Sequence, residues 1–263
     1  SNGEQHRATG TGSNGESALD KRCLWGACIN ADADADVAQA TAQLTENVIT
    51  LKGSTELVTE FFSYGINTYV CTLSRLNLSI ILTILVNSIL YQRGVYPPES
   101  FKQVPKYGLN MLVTADEKLE EFFTKFLSQL SNWLLQGEVQ KLVLVITGIE
   151  TEEVLERWVF DVHAEKPTQS GAPAKPQKEI MSEIQAVIRQ ITASVSFLPL
   201  LQEQCTFDLL VYTDKNSEVP PMWEQSDPRY IKNSQQVRLR SFSTKVHKVD
   251  AFVAYKDPEA DSI

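Results

Sequence analysis

Few residues in this 263-residue chain have the chemistry to drive a reaction, and their spacing scatters them. Thiols stand at Cys23, Cys28, Cys71 and Cys205, with no CxxC pair, and imidazoles at His6, His163 and His247. A structural zinc site needs its ligands in close pairs, so none is read here. Asp208 and Asp214 flank one apolar run; paired carboxylates can do acid–base work, but these read as turn and edge residues. His163 and His247 fall in expected strands and read as structural. There is no GxSxG elbow, no phosphate loop ending in GKS or GKT and no HExxH. No catalytic, cofactor-binding or metal-ligating residue is assigned, and an enzyme is not expected. One charged position stands out. Arg189, beside Gln190, sits between Ile188 and Ile191 in a helical pattern. A solvated face and an exposed anchor for a partner both fit it, since a guanidinium fork makes bidentate pairs.

The elements around these residues follow from pattern. Hydrophobic content is 43%, enough for a core, and the net charge of −9 argues against general nucleic-acid binding. The polar, glycine-rich start is not a signal peptide, and residues 1–42 read as a disordered extension. "VITLKG" from Val48 predicts a short strand, and Ser54 opens a helix through Leu57, Val58, Phe61, Phe62 and Ile66. "RGVYPPESF" is a turn-rich loop and "GLNMLVT" a strand. Thr114 and Glu117 predict a capping box for a second helix ended by Gly137. "KLVLVITG" is a central strand and "EVLERWVFDVHAE" the next. A Pro/Lys-rich loop follows, then a third helix from Ile180 to Leu198, stopped by Pro199. "CTFDLLVYT" is a strand, "EVPPMWEQSDP" a loop without regular structure, and "VRLRSFSTKVHKVDAFVAYK" a hairpin.

Taken in order, "ITLKGSTELVTEFFSYGIN", "SILYQRGVYP", "KYGLNMLVT", "VLERWVFD", "EIQAVIRQITASVSFLPLL", "FDLLVYTDK" and the C-terminal hairpin closely resemble the HORMA family, in its spindle-checkpoint branch. The resemblance runs from Gln43 to Lys256, and a domain over residues 43–259 is expected. It implies an α+β HORMA fold, three helices packed on a mostly antiparallel sheet, with a mobile C-terminal seat belt. In the family's open form the hairpin pairs with one sheet edge. In its closed form it crosses to the opposite edge and wraps a partner peptide. By this resemblance the strand Cys205 to Thr213, with Phe207, Leu209, Val211, Tyr212 and Thr213, first holds the hairpin and then accepts the peptide. The strand Val154 to His163 receives the relocated hairpin. Belt residues are Trp223, Val237, Leu239, Phe242, Val246, His247, Val249 and Tyr255. Self-association of open and closed conformers falls to Arg189 and Gln190. The implied partners are the checkpoint receptor Mad-one and the anaphase-promoting-complex activator Cdc-twenty, with no nucleic acid and no membrane. The implied setting is the nucleus, the kinetochore in mitosis and the cytoplasm. The alternative within the family is an accessory subunit of a translesion DNA polymerase.

One stretch departs from the family. Twenty residues, Thr68 to Asn87, stand between "GIN" and "SILYQRG". As continuous helix they add about 30 Å and about 200° of rotation, which turns Ile89 and Leu90 from their core contacts. Three readings compete: a transmembrane span, a looped-out functional insertion, and translated non-coding sequence such as an unspliced intron. The last is taken forward, because Ile, Leu and Val codons share a pyrimidine at the second base. Looped out, Ile80, Ile81, Leu82, Ile84, Leu85 and Val86 would be exposed and prone to aggregate.

Overall fold

The computed structural model describes residues 46–51, 78–106, 109–164, 175–244 and 246–257. The expected N-terminal tail, the helix from Ser54, residues 68–77 and most of the Pro/Lys-rich loop lie outside them. Among the described residues there are three α-helices and ten strands in two sheets.

The large sheet contains β1 (Glu46–Leu51), β4 (Val139–Gly148), β5 (Val154–Ala164), β6 (Cys205–Asp214), β7 (Trp223–Gln225), β8 (Ser234–Arg238) and β10 (His247–Lys256). Their order is β7-β1-β6-β4-β5-β10-β8, with β9 (Phe242–Ser243) paired to β10. Every pairing in it is antiparallel. The central strands β4, β5 and β6 are apolar on both faces, because both faces are covered. Leu142, Leu144, Ile146, Trp158, Phe160, Phe207, Leu209 and Val211 join the main core with the helices. Val143, Val145, Val159, Leu210 and Tyr212 make a smaller apolar layer on the opposite face. A separate hairpin pairs β2 (Phe101–Lys106) with β3 (Leu109–Thr114).

Helix α2 (Glu117–Gln136) shows the expected face of Leu119, Phe122, Phe123, Phe126, Leu130 and Trp133. Its cap differs from expectation. Asp116 is the N-cap and accepts from the Leu119 N–H at 2.9 Å, while Thr114 Oγ1 accepts from the Asp116 N–H at 3.2 Å. Two capping residues sit two apart, and the carboxylate adjoining the helix holds the cap. Gly137, at φ 73°, closes the helix as a Schellman turn, with Glu138 N–H donating to the Trp133 carbonyl. Helix α3 (Gln177–Ser194) stops short of Pro199; Val195 is exposed, while Leu198 is buried by the turn that follows.

Helix α1 (Leu78–Gln92) corrects the reading of the apolar insert. Leu78, Ile81, Leu82, Ile84, Leu85 and Val86 are buried, with Ile80 packed against the core. Ile89 and Leu90, which a helix continuous through all twenty inserted residues would turn away, are fully buried. The helix keeps its downstream end in place, and the insert's last ten residues fill its upstream end. Counting back from Ser88 gives the physical reason. Leu78-Ser-Ile-Ile-Leu-Thr-Ile-Leu-Val-Asn87 matches Val58-Thr-Glu-Phe-Phe-Ser-Tyr-Gly-Ile-Asn67 position for position in polar and apolar character, apart from Ile80 and Leu85. Ile80 and Thr83, the half-buried positions, fall opposite Glu60 and Ser63. The insert segment has no glycine and no charge, so it buries more apolar surface at lower backbone cost. Hydroxyls of α1 bond back along the helix: Thr83 Oγ1 donates to the Ser79 carbonyl at 3.1 Å and Ser88 Oγ to that of Ile84 at 2.7 Å. Among the described residues no helix is long and apolar enough to cross a membrane.

Candidate functional site, a strand slot under a crossing belt

The C-terminal hairpin lies along β5. β10 pairs with it from His247 opposite Ala164 to Tyr255 opposite Glu156, and β8 pairs on β10's outer side. β5 is the strand that the family resemblance expects to receive the relocated hairpin.

Between β7 and β8 the chain crosses the second face of the sheet. Arg229 pairs with the buried carboxylate of Asp208, correcting its reading as a turn or edge residue. Asp208 occupies the interior of β6 because this arginine reaches it across the face. Next to it, the Arg157 guanidinium lies 4.6 Å from the Tyr230 ring centre and donates to the Tyr212 hydroxyl at 3.2 Å. Buried charge is tolerated here only because it is paired.

The start of the belt was expected to lack regular structure. Instead Trp223–Gln225 forms β7. A three-residue strand between prolines gives no alternating pattern to read. Long-range packing holds it: the Trp223 ring lies 4.7 Å from Trp133 and 5.4 Å from Phe126, centre to centre. Trp133 Nε1 donates to the Glu218 carbonyl at 3.3 Å.

The slot between β6 and β7 holds β1. Val48 faces Tyr212 and Thr50 faces Leu210 on one side; Ile49 faces Gln225 and Leu51 faces Trp223 on the other. Of the strand-edge residues named from sequence, Phe207, Leu209 and Val211 point into the main core and Tyr212 into the second layer. Thr213 is buried near the strand's end. These side chains fix the strand, and its backbone edge is what pairs with a neighbour.

The remaining belt residues divide by burial. Phe242 and Val249 are in the core, Val237, Leu239 and Tyr255 pack against it, and Val246 is exposed. Tyr255 donates to Gln235 Oε1 at 2.9 Å. His247 is half-buried, and burial pushes its imidazole below its ordinary pKa. Two latches tie the belt to α3. Glu183 accepts from the Ser243 N–H at 2.9 Å and from Lys175 Nζ at 2.6 Å. Burial raises the Glu183 carboxyl, but these donors hold it net below its usual value. Gln190 Oε1 accepts from the Arg240 N–H at 2.5 Å. So the two residues named together from sequence separate: Gln190 faces the belt, and Arg189 is exposed on the helix surface.

Sequence pattern did not find a buried ion pair that joins α1 to the sheet. Arg93 Nε donates to Glu156 Oε1 at 2.8 Å, and Trp158 Nε1 donates to Oε2 at 2.9 Å. Burial pushes the Glu156 carboxyl up, against these donors. Among the described residues no cluster suits a metal ion. Burial lifts the Cys205 thiol to about 11, so it is no nucleophile at neutral pH.

Comparison with known proteins agrees with this architecture. The family model described as HORMA domain matches residues 74–247. The mitotic spindle assembly checkpoint protein MAD2A of Dictyostelium discoideum is 61% identical over 209 residues, 79% of this chain and 93% of that protein. MAD2A of Homo sapiens is 51% identical over 218 residues, 82% of this chain and 97% of that protein. A chain in the crystal structure of the mitotic checkpoint complex superposes with a TM-score of 0.63 at 50% identity, covering 68% of this chain and 97% of that one. The chain belongs to the HORMA domain family, and within it to the group of mitotic spindle assembly checkpoint proteins that it matches.

Proposed function

We propose that the chain is a non-catalytic checkpoint switch that captures a partner peptide as an added strand on the outer edge of β6, beneath the belt. The observation that supports it most is the slot itself. A strand between β6 and β7 has both of its edges paired, and the chain from Ser226 to Asn233 then crosses to the far side of the sheet. A peptide in that slot gains backbone hydrogen bonds from the sheet and is retained by the crossing. Release requires the belt to detach, so both binding and dissociation are slow. The partners of this reading are the receptor Mad-one and the activator Cdc-twenty, the latter held to delay anaphase. Open and closed conformers associate through the exposed Arg189, with Gln190 linking that helix to the belt. The protein acts in the nucleus, at the kinetochore in mitosis and in the cytoplasm.

The test is the dissociation rate of a fluorescein-labelled Mad-one peptide. Trp223→Ala removes the ring that seats β7 between Phe126 and Trp133. It is expected to speed release by about tenfold or more, the effect of losing roughly 1.4 kcal/mol from the closed belt. A variant that releases the peptide at the wild-type rate would show that the belt does not retain it.

A further inference from the structure

We infer that β1 is a built-in occupant of the peptide slot, so that a partner captured there must first displace the chain's own Glu46–Leu51. This rests on the peptide-capture reading and adds a cis competitor to it.

The strand is seated as a captured peptide would be. It pairs with β6 from Glu46 opposite Asp214 to Thr50 opposite Leu210, and with β7 on its outer edge. Its side chains serve both faces. Ile49 and Leu51 are buried in the main core, and Val48 packs with Leu210 and Tyr212 on the second face. Its polar groups are fastened as well. Thr50 Oγ1 donates to the Leu209 carbonyl at 3.0 Å and Asn47 Nδ2 to that of Lys215 at 3.0 Å. The belt contributes directly, because the Ser226 N–H donates to the Val48 carbonyl at 2.9 Å. A second strand cannot use these groups while β1 does. The slot therefore selects an extended segment with adjacent apolar residues, one for each face.

The consequence is a lowered apparent affinity, by the fraction of molecules whose slot is empty. Hydrogen exchange on the full chain reads occupancy, and the labelled Mad-one peptide reads capture. The expected result is that β1 amides are protected in the free chain and lose protection in the peptide complex, while those of β6 stay protected. Ile49→Asp puts a carboxylate in the core side of the slot. It is expected to bind the peptide about tenfold tighter or more, because the competitor is removed. Protection of β10 amides checks that this variant is folded. Asn47→Cys with Thr213→Cys is the opposite arm: its oxidised form should lose peptide binding and its reduced form regain it. Continued protection of β1 in the saturated complex would overturn the inference and leave peptide capture standing. So would unchanged affinity in Ile49→Asp. If the Mad-one peptide binds no form, the capture reading fails. A synthetic Thr45–Leu51 peptide then decides the inference: restored β6 protection in Ile49→Asp supports it, and no binding overturns it.

Discussion

Five residues show how local chemistry sets behaviour. Arg93 and Glu156 are both buried, with the guanidinium also donating to the Pro199 carbonyl at 2.5 Å. Arg93→Met leaves a carboxylate without its partner and is expected to cost about 3–5 kcal/mol in denaturant unfolding. Glu183 gives a pH dependence. Its folded carboxyl titrates below the ordinary value of 4.5, so the latch contributes stability above that pH. The contribution is lost as pH falls through the folded value. His247 acts at higher pH. Its depressed imidazole favours the folded state above 6.5, and stability falls as pH drops below it. Peptide release should therefore speed up in two steps on acidification. Glu183→Gln should remove the lower step, and a profile unchanged in that variant would count against the latch. Arg189→Ala should leave thermal stability within about 0.5 kcal/mol, as for an exposed substitution. It should abolish self-association in analytical ultracentrifugation; wild-type dimerisation would exclude that role. The exposure of Arg189 was legible from sequence because a charge interrupts an apolar run. The Arg93–Glu156 pair was not, since 63 residues separate two ordinary surface types.

At the scale of elements, α1 carries the sharpest prediction. Deleting Thr68–Asn87 joins Asn67 to Ser88 in the same helical phase. The shortened chain is expected to fold, with Phe61 and Phe62 at the sites of Ile81 and Leu82 and Glu60 at the half-buried site of Ile80. A soluble shortened chain with a cooperative melt would be the supporting result, and an unfolded one would show that the two segments are not equivalent. Leu82→Ala in the full chain should cost about 2–5 kcal/mol, because its side chain is fully buried. Helix α2, helix α3 and strands β4 and β6 were readable because period and length agreed. Strand β7 was not, because an aromatic contact with α2 holds it rather than any pattern of its own. The fate of the insert was equally hidden. Hydropathy marked Leu78–Asn87 as apolar, but only the groove between α2, α3 and β3 shows that ten residues fit it in place of ten others.

The whole molecule sets the tension of the belt. Crossing from β7 to β8 spans six inter-strand gaps, about 29 Å at 4.8 Å each. The nine steps from Gln225 to Ser234 reach about 30–32 Å when fully extended. That leaves little slack over a filled slot. Inserting Gly-Gly-Ser after Asp227 should therefore speed peptide release while leaving the melting temperature nearly unchanged. An unaltered release rate would mean that slack does not limit opening.

The sequence by itself determined the fold class and the family. Those properties follow from apolar period, turn residues and ordered local matches, all of which are short-range. The tertiary structure alone decided which segment fills each shared position. Leu78–Asn87, which resembles Val58–Asn67 in local pattern, forms the start of α1, and Glu46–Leu51 lies between β6 and β7. Neither placement is written in local pattern; each depends on burial and on hydrogen bonds made to residues distant in the chain.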